Sequence, residues 1–319
     1  MKKLGQLITA MVTPFKENLE VDYGKAASLA RYLVNNGSDG ILVVGTTGES
    51  PTLSHDEKIE LIKTVKKEVG TEASVIAGTG TNDTASTIRL TKEVEQLGVD
   101  AVLIVCPYYN KPPQEGIIRH YKMVAESTSL PIITYNIQGR CGVNINPETL
   151  AKLALIPNII ANKEASGNVD QLSQIIIQTG SAKAFAKYLP SAVPVGGRMP
   201  EAGEEEKIFA NYSGDDGLTL PMLSVGAVGV ISVASHIAGI EMKKMITDFF
   251  KGDVESALSM HIRLMPIFKG LFKTSNPILV KSALKLKGID VGGLRPPLVP
   301  ATDEQVKALK LDMEMAGLL

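Results

Sequence analysis

The chain has 319 residues, of which 44% are hydrophobic, so it is long enough for one large barrel-type domain or two smaller ones. The formal net charge is -1, from 33 basic and 34 acidic side chains without a basic stretch, which gives no support for a nucleic-acid partner. No apolar run approaches the length of a membrane span, and the two cysteines suit a reducing compartment, so we expect a cytoplasmic protein.

Short apolar runs recur along most of the chain and alternate with helical patterns. Most of the runs are continuous, which is typical of parallel strands that helices cover on the outside. Eight strands that alternate with helices indicate an α/β fold, the (β/α)8 or TIM barrel. We predict the strands at Leu7–Val12, Gly40–Val44, Ser74–Ala77, Ala101–Cys106, Ile132–Tyr135, Ile159–Lys163, Phe209–Ser213 and Gly229–Val233.

Helix signals support this division of the chain. The first helix runs from a plausible N-cap at Asp22 to a stop at Gly37, and the second opens with a capping box at Ser54. After the eighth strand only helical patterns remain, among them 241–250, 254–273 and 302–316. We therefore predict a catalytic barrel over residues 1–234 and a C-terminal helical region over 235–319.

The repeat is irregular between the sixth and seventh strands, where the connection is about twice as long as the others. The excess falls near Ser181–Lys207 and includes Gly196-Gly197 and the acidic run Glu204–Glu206. Because it follows a helix and precedes a strand, we expect a surface insertion on the face opposite the active site, with little influence on the chemistry.

Several reactive side chains fall at the C-terminal ends of the predicted strands, which is where barrels of this type carry their catalytic residues. Lys163 closes the sixth strand, where burial would favour the neutral amine, a nucleophile for a ketone or an aldehyde. Taken alone, a lysine exposed at the exit of a strand is the commoner case. Thr46 follows the second strand, Tyr109 follows the fourth and Tyr135 ends the fifth, all at the same mouth of the barrel. A tyrosine hydroxyl beside an iminium is a competent general acid and base. Their convergence favours a catalytic Lys163.

Other kinds of site fit the sequence poorly. The four histidines are scattered without metal-ligand spacing, and neither a dinucleotide-binding nor a Walker motif is present, so we expect no metal and no cofactor. Barrels that bind phosphate usually do so after strands seven and eight. Asp215 and Asp216 lie near that position and would repel a phosphorylated sugar, so a non-phosphorylated keto acid is the expected substrate.

With these residues, the chain resembles the dihydrodipicolinate synthase family, whose members are also called 4-hydroxy-tetrahydrodipicolinate synthases. That family is part of the pyruvate-dependent class I aldolase superfamily, together with N-acetylneuraminate lyase. The resemblance runs nearly end to end, apart from 181–207. It is carried by Gly45–Ser50, Pro107–Asn110, Tyr135-Asn136 with Arg140, Lys163–Gly167, Ser213–Asp216, Gly229–Val233 and Leu294–Leu298.

The resemblance implies a lyase of lysine and diaminopimelate biosynthesis that works without a cofactor. Lys163 would form a Schiff base with pyruvate, and the resulting enamine would attack the aldehyde of L-aspartate 4-semialdehyde. Thr46, Tyr109 and Tyr135 would form a proton relay, with Tyr109 reaching across from a neighbouring subunit. The implied assembly is a homotetramer built from tight dimers.

The resemblance also implies the residues that bind substrate. The loop of Thr46 and Thr47 would hold the pyruvate carboxylate, and Arg140 would hold the carboxylate of the second substrate, which suits the fork of a guanidinium group. Gly214 and Ile231 would contribute backbone around the pyruvyl group.

Three residues depart from the family pattern. Gln138 stands where proline is usual, Cys141 where threonine is usual, and Asn162 where isoleucine or valine precedes the Schiff-base lysine. Cys141 is either a reactive thiol or a plain substitution, and Asn162 either alters the pKa of Lys163 or points toward a helix. Two alternatives therefore stay open: a related aldolase or lyase that acts on N-acetylneuraminate or a keto-deoxy sugar acid, and a catalytically silent small-molecule sensor. The complete set of reactive residues favours the synthase.

The lysine-binding regulatory site of related enzymes is matched only in part. Asn82 and Tyr108 agree with it, but Ser86 stands where sensitive enzymes carry a glutamate and Lys58 where they carry a histidine. Loss of a carboxylate that would hold the ammonium of the ligand weakens binding. We therefore predict weak or absent feedback inhibition by lysine.

Overall fold

The computed structural model describes residues 4–189 and 208–319. Its strands pair in parallel, each with the next along the chain, and the eighth pairs with the first, so the sheet closes into a barrel. This confirms the predicted (β/α)8 fold. The strands are β1 Leu7–Ala10, β2 Gly40–Val43, β3 Ser74–Gly78, β4 Ala101–Val105, β5 Ile132–Asn136, β6 Ile159–Glu164, β7 Ala210–Ser213 and β8 Gly229–Ser232.

All eight predicted strands are present, and their ends differ from the prediction by one or two residues. β1 ends at Ala10, before the predicted Val12, whose amide instead donates to the ring of His236 at 3.1 Å. β5 and β6 each run one residue further than predicted, because Asn136 and Glu164 still pair across the two strands. The apolar runs thus locate the strands well, whereas side-chain contacts at the barrel mouth determine where each strand stops.

Helices follow the strands on the outside of the barrel. α10 contacts β1 and α1, so it lies at the place of the eighth outer helix, and the domain boundary predicted at residue 234 falls directly before it. α11 and α12 pack on α10 and on α13. The helices are α1 Tyr23–Asn35, α2 His55–Val69, α3 Thr84–Glu95, α4 Gln114–Glu126, α5 Gln138–Cys141, α6 Pro147–Ala154, α7 Val169–Thr179, α8 Ala182–Ala186, α9 Thr219–Ser224, α10 Ser235–Lys251, α11 Val254–Gly270, α12 Ile278–Leu286 and α13 Asp303–Met315.

The apolar core has two layers. The larger one lies between the strands and the surrounding helices. The smaller one fills the barrel itself with inward-facing side chains such as Ile8, Leu42, Ile76 and Ile133. Because the interior is packed, a ligand can reach only the mouth formed by the C-terminal ends of the strands. None of the helices in the described ranges is both long and apolar enough to cross a bilayer.

The structure describes only the first part of the insertion expected near 181–207. Its first part, up to residue 189, includes α8, where the ring centroid of Phe185 lies 5.3 Å from that of Phe250 at the end of α10. Ser181 accepts a hydrogen bond from Asn211 on β7 at 2.8 Å. Residues 190–207 lie outside the described residues, so the position predicted for the insertion stays a prediction.

A buried ion pair joins the loop after β2 to the C-terminal helices. Lys281 on α12 is 2.6 Å from Glu49, and both side chains are almost fully buried. Lys281 also donates to the carbonyl of Gly293 at 2.7 Å, and the amide of Arg295 donates to Glu49 at 3.0 Å. Burial lowers the pKa of Lys281, and the carboxylate of Glu49 opposes that shift. The helical region therefore fixes the β2 loop in place.

Removing one partner of this pair should be costly. Lys281→Met leaves the Glu49 carboxylate buried without its cation, and we expect the free energy of unfolding to fall by about 3–5 kcal/mol. Denaturant titration at a fixed protein concentration measures the change. Lys16→Met is the control, because the pair of Lys16 with Glu20 is exposed and should matter little. Equal, small losses in both variants would contradict this interpretation.

Candidate active site

Lys163 lies near the end of β6 and is only 6% exposed, so its amine is not in bulk water. Burial lowers its pKa to about 8, with an opposing effect from Asp216 and a smaller lowering by Arg140. Its Nζ lies 4.3 Å from the ring centroid of Tyr135. More of this amine is therefore neutral near neutral pH than in an exposed lysine, and the neutral amine is the state that attacks a carbonyl carbon.

A glycine makes room for the lysine side chain. A Cβ at Gly214 would lie 3.1 Å from Cε of Lys163 and only 2.7 Å from Cβ of Ala165. The amide of Gly214 donates to the carbonyl of Glu164 at 2.7 Å, which holds the end of β7 against β6. Any larger residue at 214 would displace the lysine or the strand end.

Tyr135 stands beside this amine, and Thr46 is hydrogen-bonded to Tyr135. Tyr135 pairs with Lys163 in the register of β5 and β6 and is 5% exposed. Burial raises its pKa, and the positive charge of Arg140 and a hydrogen bond with Thr46 act against that rise. The phenol therefore stays protonated at neutral pH, ready to donate a proton to a neighbouring base or oxyanion.

The turn that follows β2 is held from several sides. Thr47 is buried and its hydroxyl accepts a hydrogen bond from Asn276 at 2.8 Å. The hydroxyl of Thr13 donates to the carbonyl of Gly48 at 2.6 Å. Asn276 is a site residue that sequence reasoning missed, because it is 229 residues from Thr47 and lies in an undistinguished loop before α12. Its contact fixes the hydroxyl predicted to bind a carboxylate.

Arg140 lies on the short helix α5 and is exposed at the rim, where its charge lowers the pKa of both Lys163 and Tyr135. Gln138, which begins α5, is exposed. The thiol of Cys141 is buried, donates to the carbonyl of Cys106 at 3.2 Å, and has its pKa raised to about 11 by burial. A thiol of this kind is unreactive, which agrees with a plain substitution.

Ile231 and Tyr109 differ sharply in position. Ile231 lies on β8, is almost fully buried, and faces the barrel interior. Tyr109 is 86% exposed, with a positive φ of 72° and an amide that donates to the carbonyl of Cys141 at 3.3 Å. A single chain therefore brings Lys163, Tyr135 and Thr46 together, whereas the side chain of Tyr109 lies exposed on the surface.

Asn162 points away from the amine that follows it. Its Oδ1 accepts from the hydroxyl of Thr134 at 3.0 Å, and its Nδ2 donates to the buried carboxylate of Glu164 at 3.3 Å. Asn136 donates to the same carboxylate at 3.1 Å. Asn162 is absent from the groups that shift the pKa of Lys163. Of the two interpretations, the structure therefore supports the one in which Asn162 faces the helices.

The two aspartates after β7, Asp215 and Asp216, accept hydrogen bonds from different parts of the chain. Asp215 accepts from the amide of Gly217 at 2.8 Å and caps the turn. Asp216 is buried and accepts from the amides of Val233 at 3.1 Å and Ala234 at 2.8 Å, directly after β8. Those amides lie where many barrels hold a phosphate, and here a carboxylate of the chain already occupies them. This agrees with a non-phosphorylated substrate.

Comparisons with known proteins agree along the length of the chain. The model of the "Dihydrodipicolinate synthetase family" matches residues 3–187 and 199–316. A 4-hydroxy-tetrahydrodipicolinate synthase of Desulforamulus reducens is 51% identical over 316 residues, covering 99% of this chain and 98% of the relative. Among solved structures, a DHDPS of Cyanidioschyzon merolae with lysine bound has a TM-score of 0.89 and 47% identity, and covers 99% of each chain.

A second solved structure, the chloride-inhibited dihydrodipicolinate synthase of Acinetobacter baumannii in complex with pyruvate, also has a TM-score of 0.89. It is 35% identical and covers 99% of this chain and 100% of its own. The family match is interrupted at 188–198, within the segment that the sequence marks as an insertion. With a match on both sides of that gap and relatives near half identity, the chain belongs to the dihydrodipicolinate synthetase family.

Proposed function

We propose that this protein condenses pyruvate with L-aspartate 4-semialdehyde and forms 4-hydroxy-tetrahydrodipicolinate. The observation that carries the proposal is the buried Lys163, whose pKa of about 8 leaves a reactive amine facing Tyr135 at the barrel mouth. The complex of the Acinetobacter baumannii relative with pyruvate and the names of the curated relatives support the same substrates.

The proposed chemistry balances without a cofactor. The amine of Lys163 attacks the keto carbon of pyruvate and expels water, which leaves an iminium. Loss of a methyl proton gives an enamine, whose carbon attacks the aldehyde and turns its oxygen into a hydroxyl. The amino group of the second substrate then attacks the iminium carbon, closes the ring and releases Lys163. One water is lost overall.

We assign the proton transfers to Tyr135, Thr46 and Tyr109. The hydrogen bond between Tyr135 and Thr46 supplies the first link of a relay beside the amine. Thr47, whose hydroxyl Asn276 orients, is assigned to the pyruvate carboxylate. Arg140 at the rim is assigned to the carboxylate of the second substrate, since its charge is close enough to affect both catalytic groups. Gly214 and Ile231 are assigned to the wall around the pyruvyl group.

The experiment that tests this function is an assay of product formation from pyruvate and L-aspartate 4-semialdehyde. In parallel, the protein is given N-acetylneuraminate and keto-deoxy sugar acids and assayed for release of pyruvate. Turnover with the semialdehyde alone supports the synthase. Cleavage of a sugar acid in its place would keep the Schiff base and overturn the substrate assignment, while saturable pyruvate binding without any turnover would indicate a sensor.

We also propose a homotetramer of tight dimers in the cytoplasm. The assembly is supported by Tyr109, which is too exposed to serve the site of its own chain. The compartment is supported by the cysteines Cys106 and Cys141, which are buried free thiols and form no disulfide.

Feedback by lysine should be weak or absent. Ser86 offers a hydroxyl where the ammonium of lysine would need a carboxylate, and that hydroxyl already accepts from Arg89 at 3.1 Å. Lys58 stands where lysine-sensitive enzymes carry a histidine, and it would place an amine near the ammonium of the bound lysine. Burial lowers the pKa of Lys58. We expect millimolar lysine to leave the initial rate nearly unchanged, and Ser86→Glu combined with Lys58→His to increase the inhibition. Strong inhibition of the unaltered enzyme would refute this prediction.

A further inference from the structure

A cluster of polar side chains lies on the outer face of β5 and β6, where barrel strands usually carry apolar residues against the helices. Its members are all fully buried: Thr134, Asn136, Asn162 and Glu164. Across the two strands Thr134 pairs with Asn162 and Asn136 with Glu164. Successive side chains of a strand point to opposite faces, so this outer cluster lies on the reverse side of the strands from Lys163. None of the roles above accounts for it.

Glu164, at the centre of the outer cluster, is surrounded by donors. Its Oε1 accepts from the amide of Ser166 at 2.8 Å, and its Oε2 accepts from Nδ2 of Asn162 at 3.3 Å. Nδ2 of Asn136 lies 3.1 Å from Oε1 and 3.3 Å from Oε2. In the described parts of the chain, every hydrogen-bond partner of this carboxyl group is an N–H. An ionised carboxylate only accepts and so satisfies this arrangement, whereas a glutamine would turn an NH2 group toward one of the donors.

Asn136 connects this carboxylate to the loop of residues 137–144, which contains α5. Oδ1 of Asn136 accepts from the amide of Ile145 at 3.0 Å, and its Nδ2 donates to Oδ1 of Asn144 at 2.8 Å. The side chain at the start of the loop thus holds the end of the loop. Because the buried carboxylate accepts from the same Nδ2, it fixes the direction in which this amide points.

The end of the loop is also held from the side of the helices. Gln171 on α7 accepts from Nδ2 of Asn144 at 2.8 Å and donates to its Oδ1 at 3.2 Å. Gln114 on α4 donates to the carbonyl of Asn144 at 2.8 Å. The tip of the loop, by contrast, is exposed at Gln138 and Arg140. A loop that is fixed at its base in this way presents Arg140 at a defined place on the rim.

We propose that Glu164 and Asn136 are positioning residues for Arg140: they close the base of the 137–144 loop and so set where the guanidinium meets the carboxylate of the second substrate. The inference rests on the proposed function, which assigns that carboxylate to Arg140. A bidentate contact between a guanidinium and a carboxylate depends on geometry, so a small displacement of the loop weakens it. Pyruvate binds at Lys163, on the other face of the strands, and should not depend on the outer cluster.

Glu164→Gln tests the inference, and Asn144→Ala is a milder second variant, because Asn144 is only half-buried. We expect each to raise the KM for L-aspartate 4-semialdehyde roughly tenfold, the lower end of the effect of a lost hydrogen bond to a charged group. The pyruvate concentration that gives half-maximal borohydride-trapped adduct should stay that of the unaltered protein. Asn158→Ala is the matched control. Asn158 precedes β6 at the opposite end of the strand and donates to the carbonyls of Ala125 and Thr128 at 3.0 Å, so its loss should lower stability and leave that KM unchanged.

A double-mutant cycle shows whether the effect passes through Arg140. Arg140→Ala removes the guanidinium, so the addition of Glu164→Gln to it should raise the KM for the semialdehyde no further. The same cycle with Asn144→Ala decides the question if Glu164→Gln fails to fold. Equal increases in KM with and without Arg140 would show a purely structural role for the outer cluster and overturn the inference.

Hydrogen exchange measures the loop without any need for turnover. In Glu164→Gln and in Asn144→Ala, the backbone amides of residues 137–145 should exchange faster than in the unaltered protein, while those of β2 keep their protection. Folded variants in which these amides exchange at the unaltered rate would overturn the inference. Absence of turnover in the unaltered protein would instead refute the proposed function, and the exchange rates would still decide whether the outer cluster holds the loop.

Discussion

Replacement of Lys163 by alanine should lower the rate of condensation by roughly 10³-fold or more, the scale expected when a covalent nucleophile is lost. The side chain is buried at the end of β6, and none of the hydroxyl groups around it can form an iminium with a ketone. Initial rates with both substrates at saturation measure the loss. Melting temperature is measured alongside, because truncation of a buried side chain also alters stability.

Another buried lysine provides an internal control for this prediction. Lys281 is 4% exposed and burial lowers its pKa, as it does for Lys163, but its Nζ is held 2.6 Å from Glu49. A lysine engaged in an ion pair is a poor nucleophile, so pyruvate should modify Lys163 and leave Lys281 untouched. Substantial activity in Lys163→Ala, or modification of Lys281 in its place, would contradict the assignment.

Tyr109→Phe should lower the rate by about 10²–10⁴-fold, the range for loss of a general acid or base. Its side chain is 86% exposed and lies outside the pocket of its own chain, so the loss is expected only if a neighbouring copy receives it. The backbone at this residue is left-handed, with φ of 72°. Steady-state rates of the purified variant measure the effect.

Complementation separates a contribution in trans from one within the chain. In a dimer of one Lys163→Ala and one Tyr109→Phe subunit, one site keeps both side chains if Tyr109 crosses over. Co-expression in equal amounts should then restore about a quarter of the unaltered activity, because half of the dimers are mixed and each has one complete site. Tyr135→Phe is the control and should not complement Lys163→Ala, since Tyr135 and Lys163 pair on adjacent strands of one barrel. Equal recovery in both mixtures would contradict the exchange of Tyr109.

Much of the site follows from where the apolar runs end. Lys163 and Tyr135 each close a run, and parallel strands bring their C-terminal ends to one mouth, so their proximity was predictable from sequence. The direction of Asn162 was predictable as well, because successive side chains in a strand point to opposite faces, and an inward Lys163 requires an outward Asn162. Strand order and count were predictable for the same reason, from the regular alternation with helices.

Contacts between distant segments were not predictable in this way. Asn276 orients Thr47 across 229 residues, and no local pattern marks it. Asp215 and Asp216 are adjacent residues of the same type, so the sequence does not distinguish them. In the structure, Asp215 caps a turn, whereas Asp216 accepts hydrogen bonds from the backbone amides after β8. The exposure of Tyr109 depends on a backbone conformation that a tyrosine rarely adopts. Each of these features depends on tertiary packing and has no periodic signature.

The most direct test is mass spectrometry of the protein after incubation with pyruvate and reduction with borohydride, followed by peptide mapping. A single pyruvyl adduct on Lys163, absent in Lys163→Ala and competent for product formation when semialdehyde is supplied before reduction, is the expected result. No adduct, or an adduct on another lysine while condensation proceeds normally, would contradict the Schiff-base mechanism.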